Sequence, residues 1–253
     1  MKVTMMVKLE NVEFTSGGNN LLGRIYRPEG RGRRPAVAIC HGYPGDTKNM
    51  DLAEELALNG IVALVFYYQG AWGSSGKYSL TKLEVGARDA VSYLRSLPCV
   101  DPKRVGLVSH SMGALPLSKT MSLDPTIKTG VLMSPVSDIS LWTSGDALET
   151  IIPHFIQSAR GKLEGLTAEQ LRADLRDVTE AGNPIKLIGN VKASTLVIVG
   201  TNDDVTPPDL CKMLYDKAGE PKKWVLIEGA DHGFSEHRVS LIRAALDWLK
   251  VTL

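Results

Sequence analysis

The chain has 253 residues, 43% apolar and 23% charged, which is the balance of an ordinary globular protein and excludes a disordered one. Its 29 basic and 28 acidic residues leave a formal charge of +1 and are mixed along the chain, so the basic face of a nucleic-acid binder is not expected. No run approaches the ~20 apolar residues of a membrane span, Met1 to Phe14 carries no apolar run of secretory length, so no secretory segment is expected there, and Cys40, Cys99 and Cys211 fit neither a disulfide framework nor a zinc pattern.

A hairpin is expected first, with strands over Val7 to Thr15 and Leu21 to Tyr26 around the turn cluster Ser16-Gly17-Gly18-Asn19-Asn20. After the basic loop Arg31 to Arg34, short apolar runs alternate with helical patterns. The runs are Val37 to Cys40, Ile61 to Tyr67, Val105 to Val108, Gly130 to Met133, Leu196 to Val199 and Trp224 to Ile227. Their length suits strands buried on both faces of a parallel sheet. Between them, Leu52, Ala53, Leu56 and Ala57 mark a helix stopping at Asn59-Gly60. A capping box of Thr81 and Glu84 should open another, which Pro98 ends. Val239, Ile242, Leu246 and Leu249 predict one apolar face on the last helix. The alternation argues for a doubly wound, mostly parallel α/β sheet with an antiparallel start, in one domain over residues 1–253.

The stretch 136–194 breaks the alternation. It holds several helical pieces, one opened by Thr167 and Gln170. A connection this long is functional or a subdomain, and a lid over the C-terminal edge of the sheet is the expectation. A surface excursion without function is the alternative.

Chemistry enters at Val108-Ser109-His110-Ser111-Met112-Gly113, where a strand passes into a helix through Ser-x-Ser-x-Gly. The nucleophile elbow is written Gly-x-Ser-x-Gly because its turn admits only small neighbours; Ser109 stands in the first glycine position. The elbow would lift the Ser111 hydroxyl clear and aim the N–H of Met112 at a developing oxyanion. A small-residue turn without chemistry would look the same in isolation. Cys40-His41-Gly42-Tyr43-Pro44-Gly45 follows a strand at the place of a second oxyanion donor. Pro44 has no N–H, so Tyr43 is the candidate and His41 a brace for the loop. Gly200-Thr201-Asn202-Asp203-Asp204 ends another strand with two acids, either of which could instead cap the next helix. Gly229-Ala230-Asp231-His232-Gly233 follows the last strand. That position favours His232 as a catalytic base and Asp231 as a turn residue. His110, His154 and His237 are read as bystanders.

The order Ser111, Asp203, His232, each after a strand, resembles the α/β-hydrolase superfamily. Within it the chain is similar to small single-domain esterases related to dienelactone hydrolases and to the catalytic domain of prolyl-oligopeptidase-type peptidases. The resemblance runs from about Val7 to Leu249 and is weakest over 136–194. Tyr67-Tyr68-Gln69-Gly70-Ala71-Trp72-Gly73-Ser74-Ser75-Gly76 resembles that group's Arg-Gly-x-Gly-x-Ser-x-Gly loop, with Gln69 in place of Arg. Dienelactone hydrolases carry a cysteine nucleophile where this chain has Ser111. In that family the acid lies three residues after the strand-ending glycine with a proline four beyond, which selects Asp203 between Gly200 and Pro207 over Asp204.

The expectation is therefore a serine carboxylesterase working through an acyl-enzyme. Ser111, His232 and Asp203 form its triad, and the N–H groups of Tyr43 and Met112 its oxyanion hole. An acylaminoacyl- or oligopeptidase-like amidase and a thioesterase are the alternatives, and a non-catalytic binding module is disfavoured by the complete triad. Trp142, Ile152 and Phe155, with Leu141, Ile151 and Ile156, could line an acyl pocket or simply pack the lid. No cofactor or metal is implied. The expected partner is a small-molecule ester, without nucleic acid or membrane, and the expected location the cytoplasm. The oligomeric state stays open, a homodimer among the options.

Overall fold

A computed structural model describes residues 6–253. Strand β1 (Val7–Ser16) turns back through Gly17 and Gly18, both at positive φ (54° and 80°), into β2 (Asn19–Pro28). Glycine takes that left-handed backbone without steric cost, and the turn sets the hairpin register Ser16 to Asn19. β2 then pairs antiparallel with β4 (Val62–Phe66). From there the sheet is parallel: β4, β3 (Arg34–Cys40), β5 (Val100–His110), β6 (Thr129–Met133), β7 (Ser194–Gly200) and β8 (Lys222–Ile227). The full order is β1-β2-β4-β3-β5-β6-β7-β8, the doubly wound arrangement that the alternating pattern predicts.

Consecutive residues of each inner strand feed different cores, which explains the unbroken apolar runs. Ala36, Ala38 and Cys40 pack toward α2 (Leu83–Ser96) and α3 (Ala114–Leu123). Val37 and Ile39 pack toward α1 (Met50–Leu58) and α9 (Arg238–Thr252). Between β6 and β7 lie α4 (Ser140–Thr143), α5 (Ala147–Ala159), α6 (Ala168–Ala181) and α7 (Pro184–Leu187). Helix α8 (Pro208–Lys217) follows β7. No helix among the described residues is long and apolar enough to cross a membrane.

Local expectations fail in three places. β5 starts at Val100, ahead of the apolar run, because it pairs with the start of β3 through an irregular register. Thr81 does not cap α2: a 3-10 turn over Leu80–Lys82 leads into the helix, and the Thr81 hydroxyl pairs with that of Ser79 at 2.8 Å. The buried face of α9 is Leu241, Ala245, Leu246 and Leu249, while Val239 is exposed; the helix is rotated from the face its apolar residues suggested. The Thr167 cap on α6 does form, its hydroxyl accepting from the Gln170 amide at 3.1 Å. The side chain of Gln170 instead donates to buried Asp174 at 2.7 Å. The other carboxylate oxygen of Asp174 accepts from the amide of Leu80 at 2.7 Å, fastening α6 to the body.

Candidate active site

The parallel strands end at one edge of the sheet, and the loops that leave it bring the candidate residues together. β5 stops at His110, and Ser111 takes a left-handed backbone (φ 55°) before the turn Ser111–Gly113 enters α3. For a non-glycine residue that conformation costs on the order of 1–2 kcal/mol, so the surrounding packing must hold it. A side chain on Gly113 would put its Cβ 2.2 Å from the Cys40 carbonyl oxygen, and one on Gly42 would reach 2.9 Å from Ser111 Cβ. The elbow and the loop after β3 are thus pressed against each other. Ser109, in the first small position, is fully buried.

The loops after β7 and β8 touch in the same way. A Cβ on Gly200 would meet the Ala230 carbonyl at 2.2 Å, and the Asn202 amide donates to that carbonyl at 2.9 Å. This contact delivers His232 to Asp203: Nδ1 lies 3.0 Å from both carboxylate oxygens. Asp203 is buried, whereas Asp204 is exposed. Burial by itself would raise the Asp203 carboxyl. The hydrogen bond from His232, with the Thr206 amide and the His232 charge, outweighs it and holds the group below the usual range. Oδ1 also accepts from the amides of Val205 and Thr206 at 3.0 and 2.8 Å, so Asp203 shapes its own turn. No hydrogen bond joins Ser111 Oγ to His232 among the described residues, although both line one cavity; such bonds commonly tighten only when substrate binds.

Two histidines read as bystander or brace support this geometry. His110 Nε2 lies 2.8 Å from the His232 carbonyl oxygen, and the rings pack at 4.9 Å. His41 Nδ1 lies 2.7 Å from the Gly42 carbonyl oxygen. Burial lowers the pKa of each to about 4, so each is neutral near pH 7 and donates to its carbonyl from a single tautomer. The Gly42 carbonyl shares a peptide unit with the N–H of Tyr43, so His41 also orients that amide. Trp72, in the loop after β4, donates from Nε1 to the Pro44 carbonyl at 2.9 Å and braces that turn. Gln69 occupies the arginine position with neutral bonds: its amide nitrogen donates to the Lys77 carbonyl at 2.8 Å and its oxygen accepts from Asn19 at 3.0 Å. The amides of Tyr43 and Met112 have no acceptor among the described residues. Asp231 accepts from the amide and hydroxyl of Ser235, both at 2.8 Å, as a turn residue would.

A cavity of about 400 Å³ opens over Ser111 and His232. Tyr43, Met112, Trp142 and Phe155 line it. Ile152 does not: it is buried (3% exposed) in the helical core, and its neighbour Ile151 faces the cavity. One residue is a 100° step around a helix, enough to exchange the two faces. His154 and Ser158 also reach the cavity, so Ile151, His154, Phe155 and Ser158 form one face of α5. The i, i+3 spacing from Ile151 could have revealed His154. Among the described residues no cluster of His, Cys, Asp and Glu could hold a metal ion.

Residues 70–253 match the model of the prolyl oligopeptidase family. An uncharacterized protein of Mycobacterium tuberculosis is 30% identical over 223 residues, 88% of this chain and 71% of that protein. A thiohydrolase of Arthrinium phaeospermum is 31% identical over 133 residues, 50% of this chain and 43% of the thiohydrolase. Among solved structures, the α/β hydrolase GrgF from Penicillium sp. sh18 superposes with a TM-score of 0.76 at 18% identity, over 97% of this chain and 99% of GrgF. The last likeness is one of fold.

Proposed function

The chain belongs to the prolyl oligopeptidase family, of α/β-hydrolase fold, and is an enzyme of the hydrolase class; from that premise we propose that it hydrolyses carboxylic esters by acyl transfer to Ser111. The observation that carries the reading is one convergence. Ser111, held at positive φ, opens into the same cavity as His232, whose Nδ1 lies 3.0 Å from both oxygens of buried Asp203.

The carboxylate keeps the imidazole proton on Nδ1, which leaves Nε2 to take the proton of Ser111 as Oγ attacks the ester carbonyl. Negative charge then gathers on the carbonyl oxygen, where the amides of Tyr43 and Met112 donate to it. Loss of one such donor costs roughly 3–4 kcal/mol of barrier. As the tetrahedral adduct collapses, the imidazolium returns its proton to the leaving alcohol. Water, deprotonated by His232, then releases the acid and restores Ser111. Asp203 stays ionised and balances the imidazolium. The segment 136–194 acts as a lid, with the cavity-facing side of α5 as its roof.

Ser111→Ala should abolish both turnover of p-nitrophenyl esters and labelling by a fluorophosphonate, with circular dichroism unchanged. Turnover near the wild-type rate in a folded variant removes the assignment. A second reading, thioester hydrolysis, is favoured by the thiohydrolase relative, since the same attack serves a sulfur leaving group. Comparing kcat/KM for an oxoester and a thioester of one acyl group decides between them.

A further inference from the structure

Thr206 stands three residues after Asp203 and is buried (4% exposed). Its hydroxyl oxygen lies 2.9 Å from Asp203 Oδ2, 3.1 Å from the Ser134 carbonyl oxygen and 3.1 Å from His232 Nδ1. A threonine hydroxyl has one hydrogen and two lone pairs. The hydrogen points to the carboxylate, the nearer and charged acceptor, with the carbonyl as a weaker second acceptor, and a lone pair remains for the Nδ1–H of His232. Ser134 follows directly on β6, Thr206 belongs to the loop after β7, and His232 to the loop after β8. One hydroxyl therefore bridges the ends of three neighbouring strands where the acid meets the base.

We infer that Thr206 is a positioning residue for His232, its hydroxyl fixing the Asp203 carboxylate and accepting from the imidazole Nδ1–H. The inference rests on the reading of Ser111, His232 and Asp203 given above. Oδ1 already receives two amide hydrogens from the loop, and Oδ2 has the Thr206 hydroxyl at its side. A carboxylate held by both oxygens does not swing when positive charge builds on the ring. With three oxygens within 3.1 Å of Nδ1, the proton stays on that nitrogen and the ring keeps its Nε2 toward the cavity. The apolar part of Thr206 only packs, and valine reproduces it in shape. The hydroxyl is what valine lacks and serine keeps.

That difference separates positioning from packing. Thr206→Val and Thr206→Ser are prepared beside Ser111→Ala and Asp203→Asn, and kcat, KM, fluorophosphonate labelling rate and melting temperature are measured for each. Positioning predicts that Thr206→Val lowers kcat and the labelling rate about tenfold, the scale of one hydrogen bond to a charged group. KM should stay within about twofold, because this hydrogen bond acts on the base and not on bound substrate. Thr206→Ser should restore kcat. Packing predicts the reverse order, with Thr206→Val active and Thr206→Ser impaired in proportion to its lost melting temperature; that order overturns the inference, as does a Thr206→Val variant with wild-type kcat. If Ser111→Ala or Asp203→Asn is folded and still active, the underlying reading fails and the inference falls with it. If both are dead while Thr206→Val is fully active, only the inference about Thr206 fails.

Discussion

The phenol of Tyr43 donates a hydrogen bond to the backbone carbonyl of Phe155 at 2.7 Å, and the two rings meet edge to face with centroids 4.5 Å apart. The contact joins the loop after β3, which carries a proposed oxyanion donor, to the cavity-lining helix α5. Removing the hydroxyl leaves the Tyr43 amide in place but frees the loop from α5. Tyr43→Phe should therefore lower kcat several-fold on an activated ester and reduce stability by about 1 kcal/mol, the scale of one net hydrogen bond. Steady-state kinetics and urea denaturation measure both. A stability loss with unchanged kcat would show that the bond serves only the packing of α5.

Adjacent acids should behave differently. Asp203→Asn removes the partner that fixes the His232 tautomer and balances its charge, and kcat should fall by about 10⁴. Asp204 is exposed and has no bond to His232, so Asp204→Asn should stay within about threefold of wild type, as surface changes usually have small effects. Both variants are measured on one ester, with circular dichroism as the control for folding. A dead Asp204→Asn beside an active Asp203→Asn would move the acid by one residue.

Neighbouring isoleucines on α5 should separate selectivity from stability. Ile151→Ala enlarges the cavity, so kcat/KM should change unevenly across a C2 to C12 ester series, as should that of Trp142→Ala. Ile152→Ala empties a buried site instead, at roughly 2–5 kcal/mol of stability, and its acyl-length profile should keep the wild-type shape. A reshaped profile for Ile152→Ala, with none for Ile151→Ala, would mean that α5 sits one residue out of register over the cavity.

Acid should unfold the protein partly through its two buried histidines. His41 and His110 have pKa values lowered by burial to about 4, from 6.5. Between those values the unfolded chain binds protons that the folded one refuses, so stability rises with pH across this window and is lost as pH falls from 6.5 toward 4. Each histidine accounts for on the order of 3 kcal/mol over the window. Urea midpoints at pH 7, 5.5 and 4.5 should decline in step. A flat midpoint over that range would show that both rings are protonated as readily in the native state as in the unfolded chain.

Features set by local patterns can be read from the chain alone. Apolar runs such as Val37 to Cys40 and Leu196 to Val199 are legible as inner strands because a parallel strand must satisfy both of its faces. The glycines Gly42, Gly113 and Gly200 stand where backbones touch, and they mark the loops that carry Tyr43, Ser111 and Asp203. Tertiary structure alone decided what depends on helix rotation and on contacts between distant segments. A step of 100° per residue put Ile151 rather than Ile152 at the cavity and turned Val239 of α9 outward. Sequence distance hid Trp72 on Pro44, 28 residues apart, and Tyr43 on Phe155, 112 apart. No motif spans such separations, since a hydrogen bond between loops requires only that the sheet bring two strand ends together. His110 was hidden for another reason: beside Ser111 it looks like an elbow residue, and only the loop after β8 supplies the His232 carbonyl that engages it.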